Sequence, residues 1–170
     1  NGGGAGPELG RGLTEALGEL RAHYSGYLRR AVHGVYDCGP SLRKRLRGAK
    51  PKQDVEAVVA PILTYIDGVK NSLERKLPQP RAMVGVLRGF WDFIGAEALT
   101  FYEEDLRTNS TWHNRVLTSG AIDVISEKFQ QAIRERLGND MEEKDIEAPS
   151  SIAKIQAFSS STARDSVQLY

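Results

Sequence analysis

From Val55 onward, Val59, Ile62, Ile66, Val69 and Leu73 follow at intervals of four, three, four, three and four residues. At about 3.6 residues per turn, that spacing gathers all six side chains on one stripe of an α-helix. Such a stripe must be buried against other helices, and the rest of the chain supplies them. Leu9, Leu13, Leu17, Leu20, Tyr24, Leu28, Ala31 and Val35 recur at steps of three and four, and so do Met83, Leu87, Phe90, Ile94, Ala98 and Phe101, with Val84, Trp91 and Tyr102 alongside. Ile122, Ile125, Phe129, Ile133 and Leu137 form another amphipathic run, and Ile152, Ile155 and Phe158 begin a last one reaching toward Val167. No segment shows the two-residue alternation, bounded by turn residues, that marks a strand. The fold class is therefore all-α, and the short connections predict an antiparallel bundle of about five helices.

Glycines and prolines divide these runs. Residues 1–7 hold four glycines and a proline, which reads as a flexible linker or the edge of the segment. Residues 8–170 then form a single helical bundle domain, with 8–50 assigned by position. Gly10, Gly12, Gly18, Gly26 and Gly34 weaken the first helix, each by about 1 kcal/mol relative to alanine, and Asp37, Gly39 and Pro40 end it. Pro51 opens the second helix. Pro61 lies inside it and removes one backbone donor, so a kink or break is expected between Ala57 and Pro61. Pro78-Gln79-Pro80 closes the segment. Gly85, Gly89 and Gly95 would let a neighbouring backbone come close. Asn109-Ser110-Thr111 offers caps for a short turn through Leu117, with Ser119-Gly120 preceding the next helix; Gly138-Asn139 stops that helix, and Pro149 starts the last.

The overall charge is +1, from 23 basic and 22 acidic residues, but it is unevenly spread. Residues 1–50 carry nine bases and four acids, and residues 101–170 eight bases and twelve acids. Arg43, Lys44, Arg45, Arg47, Lys50 and Lys52 meet no acid within their stretch, whereas Asp140 to Glu147 holds five carboxylates and one lysine. The basic stretch is either a solvated connection or a contact for anionic lipid headgroups, near which each base contributes about 1 kcal/mol. The absence of interleaved aromatics argues against nucleic acid.

Catalytic chemistry has little to stand on. His23 and His33 fall about 80° apart around a helix at 100° per residue, and His113 belongs to another element. A single cysteine, Cys38, has no partner for a disulfide or a zinc site. The glycines lack the strand, loop and helix context of a phosphate-binding loop. Glu103, Glu104 and Asp105 read as a solvated face. Asn109-Ser110-Thr111 matches a glycosylation sequon, but capping explains it as well. The expectation is a non-enzymatic protein without metal or cofactor. The single cysteine and the lack of any apolar run of about 18 residues point to a cytoplasmic chain.

Taken in order, residues 51–170 resemble the C-terminal part of the MUN-domain family, in the region called the second Munc-homology domain. Pro61-Ile62-Leu63-Thr64-Tyr65-Ile66-Asp67 is similar to a family helix in which a proline precedes paired aliphatics and an acid. Val86-Leu87-Arg88-Gly89-Phe90-Trp91 resembles its aliphatic-to-Trp segment, and Ala121-Ile122-Asp123-Val124-Ile125 leading to Phe129 resembles its late helix. An acidic link before Pro149-Ser150 completes the order. Two departures stand out: the glycine-rich turn that often follows the late phenylalanine is replaced by a helix running from Gln130 to Leu137, and residues 1–50 give no match.

The resemblance implies a bundle within an elongated rod of stacked bundles, in proteins that prime or tether secretory vesicles. It implies SNARE proteins or their regulators as partners, and a cytoplasmic location peripheral to vesicles or the plasma membrane. Pro61, Ile62, Phe90, Trp91 and Phe129 match family positions and are expected in the core. The alternative is a generic helical adaptor whose apolar seam docks a partner helix outside trafficking.

Overall fold

The computed structural model describes residues 5–36, 39–50, 53–108 and 112–167, and among them there is no strand. Seven α-helices follow in order: α1 (Ala5–Tyr36), α2 (Leu42–Gly48), α3 (Val55–Lys76), α4 (Pro80–Arg107), α5 (Trp112–Leu137), α6 (Glu143–Ile146) and α7 (Ser150–Val167), with a single 3₁₀ turn at Gly138–Asp140 after α5. The five long helices are those the periodicity predicts. The two additional ones are short: α2 forms from the basic stretch and α6 from the acidic one.

Contacts fix the directions. Tyr65 meets Phe90 edge-on at 6.1 Å across the antiparallel pair α3 and α4. Phe90 meets Phe129 at 5.2 Å, and the Trp91 indole N–H donates to Ser126 Oγ at 3.0 Å, so α5 is antiparallel to α4. Ion pairs Asp67–Lys128 and Lys70–Glu135 join α3 to a parallel α5. Along α7, Ile152 lies against Gly95 and Phe158 stacks on Tyr102, so α7 runs parallel to α4. The interior between these four helices is filled by Ile62, Ile66, Met83, Leu87, Trp91, Ile122, Ile125, Phe129, Ile133 and Ile152, all essentially inaccessible. Burying each such side chain contributes about 1.5–3 kcal/mol.

Glycine matters at two close approaches. A Cβ on Gly95 would lie 2.6 Å from Ile152 Cγ1, and one on Gly120 would lie 2.8 Å from Val55 Cγ2. Gly120 therefore admits α3 rather than interrupting its own helix. This corrects the expected break at Ser119-Gly120: α5 is continuous from Trp112 to Leu137. At the other end Gly138 adopts φ +52°, a left-handed conformation that ends α5 where Gly138-Asn139 predicts a stop.

Three further expectations change. Pro61 is exposed rather than core, whereas Ile62, Phe90, Trp91 and Phe129 are buried as expected. The reason is helical phase: Ala57, Pro61, Thr64 and Gly68 lie on the solvent side of α3, opposite the Val59-Ile62-Ile66-Val69 stripe. Nor does Pro61 break the helix, since α3 runs through it. Helix α1 begins at Ala5, inside the predicted linker, and packs on α4. Its described residues from Glu8 to Leu20 are all exposed, with Leu9, Leu13, Leu17 and Leu20 at 71%, 58%, 52% and 70%. The four central helices already fill their shared interior, leaving this part of the stripe outside the core.

Candidate functional site

Helix α4 carries two pairs of charged residues, each pair seven residues apart and hence close to one face. Glu97 and Glu104 lie in its C-terminal half and receive α2. Arg81 and Arg88 lie in its N-terminal half and receive the acidic connection between α5 and α7. Each of the two opposed charge runs thus meets one ion-pairing residue of α4, Glu104 or Arg81, and one that bonds a neutral group, Glu97 to the Ser41 hydroxyl and Arg88 to backbone carbonyls.

Helix α2 forms because Leu42 and Leu46, one turn apart, are both buried. Ser41 caps it: its hydroxyl accepts from the Lys44 N–H at 3.4 Å and donates to Glu97 Oε1 at 2.9 Å. The remaining face is basic, and it is largely committed within the molecule. Arg43 and Arg47 both pair with Glu104. The Arg47 hydrogen bond, together with the nearby Arg43 charge, holds the Glu104 carboxyl below its ordinary range against the opposing pull of desolvation. Arg45 turns away, donating through Nε to the Val58 carbonyl at 2.6 Å and through Nη2 to the Ala57 carbonyl at 2.9 Å. Of the six bases expected to meet an anionic surface, Lys44 and Lys50 are exposed with no ion pair among the described residues. Lys52 lies outside the described residues.

The acidic connection, residues 138–149, is tied down at several points. Arg81 pairs with Asp145 at 2.7 Å and donates to the Asp140 carbonyl at 2.6 Å. Arg88 donates to the carbonyls of Asp145 and Glu147, and Gln130 to that of Ile146. Asp145 is buried and also accepts from the Glu142 backbone N–H at 2.8 Å. Burial pushes its carboxyl up, but the Glu142 N–H and the Arg81 guanidinium outweigh that and hold it below the ordinary carboxylate value.

The residues considered for catalysis do not converge. His23 is exposed on α1, and His33 stands ten residues further along the same helix, a rise of about 15 Å. His113 lies on α5, its Nε2 buried without a hydrogen-bond partner among the described residues. Cys38 and Asn109-Ser110-Thr111 lie outside the described residues. Asp105, expected on a solvated face, is buried at the α4–α5 junction, where Asn114 Nδ2 donates to it at 3.0 Å and Arg115 Nε stands 3.8 Å away. Among the described residues no three His, Cys, Asp or Glu side chains form a possible metal-holding group, and no helix is long and apolar enough to cross a membrane.

No family model, curated protein or solved structure matches the chain.

Sequence reasoning missed the partners of the basic stretch. One signal was present: Ser41 followed by leucines at 42 and 46 is a capped, one-turn apolar pair. The carbonyl contacts of Arg45, Arg81, Arg88 and Gln130 leave no trace in residue type, because any residue presents a carbonyl.

Proposed function

We propose that this chain is a non-enzymatic interaction and scaffold module of a MUN-like protein in vesicle trafficking and exocytosis, supporting SNARE-dependent tethering, priming or fusion. The observation that carries the scaffold reading is the exposed Leu9-Leu13-Leu17-Leu20 stripe on α1, beside a core whose charged side chains serve mainly to join helices. An exposed helical stripe offers i, i+4 anchors of the kind that seat a partner helix. The trafficking assignment rests on the ordered resemblance of residues 51–170, and places the chain in the cytoplasm at the periphery of vesicles or the plasma membrane.

Binding of the purified chain to SNARE proteins, alone and assembled on liposomes, tests this reading. The expected result is binding that Leu13→Glu with Leu17→Glu abolishes while helical content is retained. Absence of binding to any SNARE assembly overturns the trafficking assignment and leaves the generic helical adaptor. Anionic membrane contact is tested separately by liposome flotation with and without acidic lipid. Lys44→Ser with Lys50→Ser is the informative variant, because Arg43, Arg45 and Arg47 also hold α2 in place.

A further inference from the structure

The connection between α5 and α7 is gripped largely through its backbone. Arg81 Nη2 donates to the carbonyl of Asp140 at 2.6 Å, Arg88 Nη1 to those of Asp145 at 2.7 Å and Glu147 at 2.9 Å, and Gln130 Nε2 to that of Ile146 at 2.9 Å. Four carbonyls of one short segment are therefore held by three side chains projecting from α4 and α5. Two carboxylates of the segment add ion pairs to Arg81, Asp145 at 2.7 Å and Glu142 at 3.6 Å. The aliphatic side chains of Met141, Ile146 and Ala148 lie half-buried against the core. Side-chain donors to backbone carbonyls, ion pairs to an arginine and a few apolar contacts are means by which protein grooves hold peptides in a fixed register.

The occupant has little structure of its own. It comprises one 3₁₀ turn and the four-residue α6, with Met141, Ile146 and Ala148 only partly covered and Asp145 and Pro149 buried. Segments with few buried apolar contacts open locally at lower cost than the helices beneath them. Met141, Ile146 and Ala148 pack against the apolar core, and the Arg88 guanidinium that holds two of the carbonyls lies over the Trp91 ring at 5.7 Å. Charge complementarity specifies what fits: of the segment's five carboxylates, Asp145 and Glu142 pair with Arg81, while Arg88 donates to the carbonyls of Asp145 and Glu147.

We propose that this α4–α5 surface is a peptide-binding groove occupied by the chain's own acidic connection, and that an acidic segment of a partner protein, with a carboxylate followed by an aliphatic residue, binds there once the connection lifts. Charge steers the partner in, so binding weakens as salt rises.

Two measurements test it. In the wild-type chain, hydrogen exchange is expected to show backbone amides of residues 141–148 opening separately from α4 and α5, and faster in higher salt. If those amides exchange only as slowly as the α4 and α5 core, the proposal is overturned. The second uses Asp145→Asn, which weakens the internal anchor and leaves Arg81 and Arg88 in place. A fluorescent peptide spanning Gly138 to Ser150 is expected to bind this variant by anisotropy, with Arg88→Ala on the same background lowering affinity about tenfold or more. A folded Asp145→Asn chain that ignores the peptide overturns the groove, and if the variant does not fold, wild-type exchange decides alone.

Discussion

Arg45 supplies the hydrogen bond that Pro61 cannot. Pro61 has no N–H, so the Ala57 carbonyl four residues earlier loses its helical donor, and Arg45 Nη2 donates to that carbonyl at 2.9 Å while Nε reaches Val58 at 2.6 Å. The proline is thereby accommodated without ending α3, and α2 is fixed against α3 by the same contact. Arg45→Ala is expected to cost about 0.5–1.5 kcal/mol, the net contribution of a hydrogen bond whose exposed acceptor water reaches once the guanidinium is gone. In a Pro61→Ala background residue 61 regains its N–H, and the cost of Arg45→Ala should fall by about 0.5 kcal/mol or more. Urea denaturation of the four variants measures this coupling; strictly additive losses would show that the two residues act independently.

Glycines in the bundle divide into two kinds by what surrounds them. Gly95→Ala drives a methyl group against Ile152 and should destabilise by about 1–3 kcal/mol, less whatever helix propensity returns. Gly68→Ala, in the middle of α3 with nothing within 4 Å of its would-be Cβ, should stabilise by up to about 1 kcal/mol. Thermal or denaturant unfolding of the two variants should give shifts of opposite sign.

How much of this was legible depends on the kind of interaction. Apolar periodicity located α3, α4 and α7 and the core residues Met83, Leu87, Phe90, Trp91 and Phe129, because burial repeats with the helix. It could not show that α1 leaves Leu9 to Leu20 exposed, since periodicity marks an apolar face and not whether the interior has room for it. Ser119-Gly120 misled for a related reason: a glycine that breaks a helix and one that admits Val55 look alike until α3 is in place. The candidate surfaces were legible as charge runs, Arg43 to Lys52 and Asp140 to Glu147. Their partners on α4, Glu97, Glu104, Arg81 and Arg88, were scattered among apolar residues, and only folding brings each pair opposite the segment it holds.

Trp91 presents the cost of an unmet donor in the core. Its indole N–H donates to Ser126 Oγ at 3.0 Å, with both residues buried. Ser126→Ala should destabilise by about 1–3 kcal/mol, because the indole N–H keeps its desolvation cost and loses its acceptor. With Trp91→Phe already in place, the same serine substitution should cost less, since no indole donor remains. A double-mutant cycle on denaturation midpoints separates that hydrogen bond from packing; equal costs in both backgrounds would assign the loss to packing alone.

Acid should loosen the two charged contacts of α4. The carboxyls of Glu104 and Asp145 are held below their ordinary values of 4.5 and 3.8, and that of Glu135 is lowered chiefly by its hydrogen bond from Lys70. A carboxyl with a depressed folded-state value binds fewer protons when folded than when unfolded. Its stabilisation is therefore fully present above the unfolded-state value and disappears as pH falls through the lower, folded-state value. Unfolding midpoints should accordingly stay level through neutral pH and drop below about pH 4. Glu104→Gln cannot gain a proton and should lower the neutral-pH midpoint while flattening the acid decline. Denaturant titrations between about pH 7 and about pH 3 compare the slopes; a Glu104→Gln curve parallel to wild type would mean that the Arg43 and Arg47 pairs contribute nothing to the folded state.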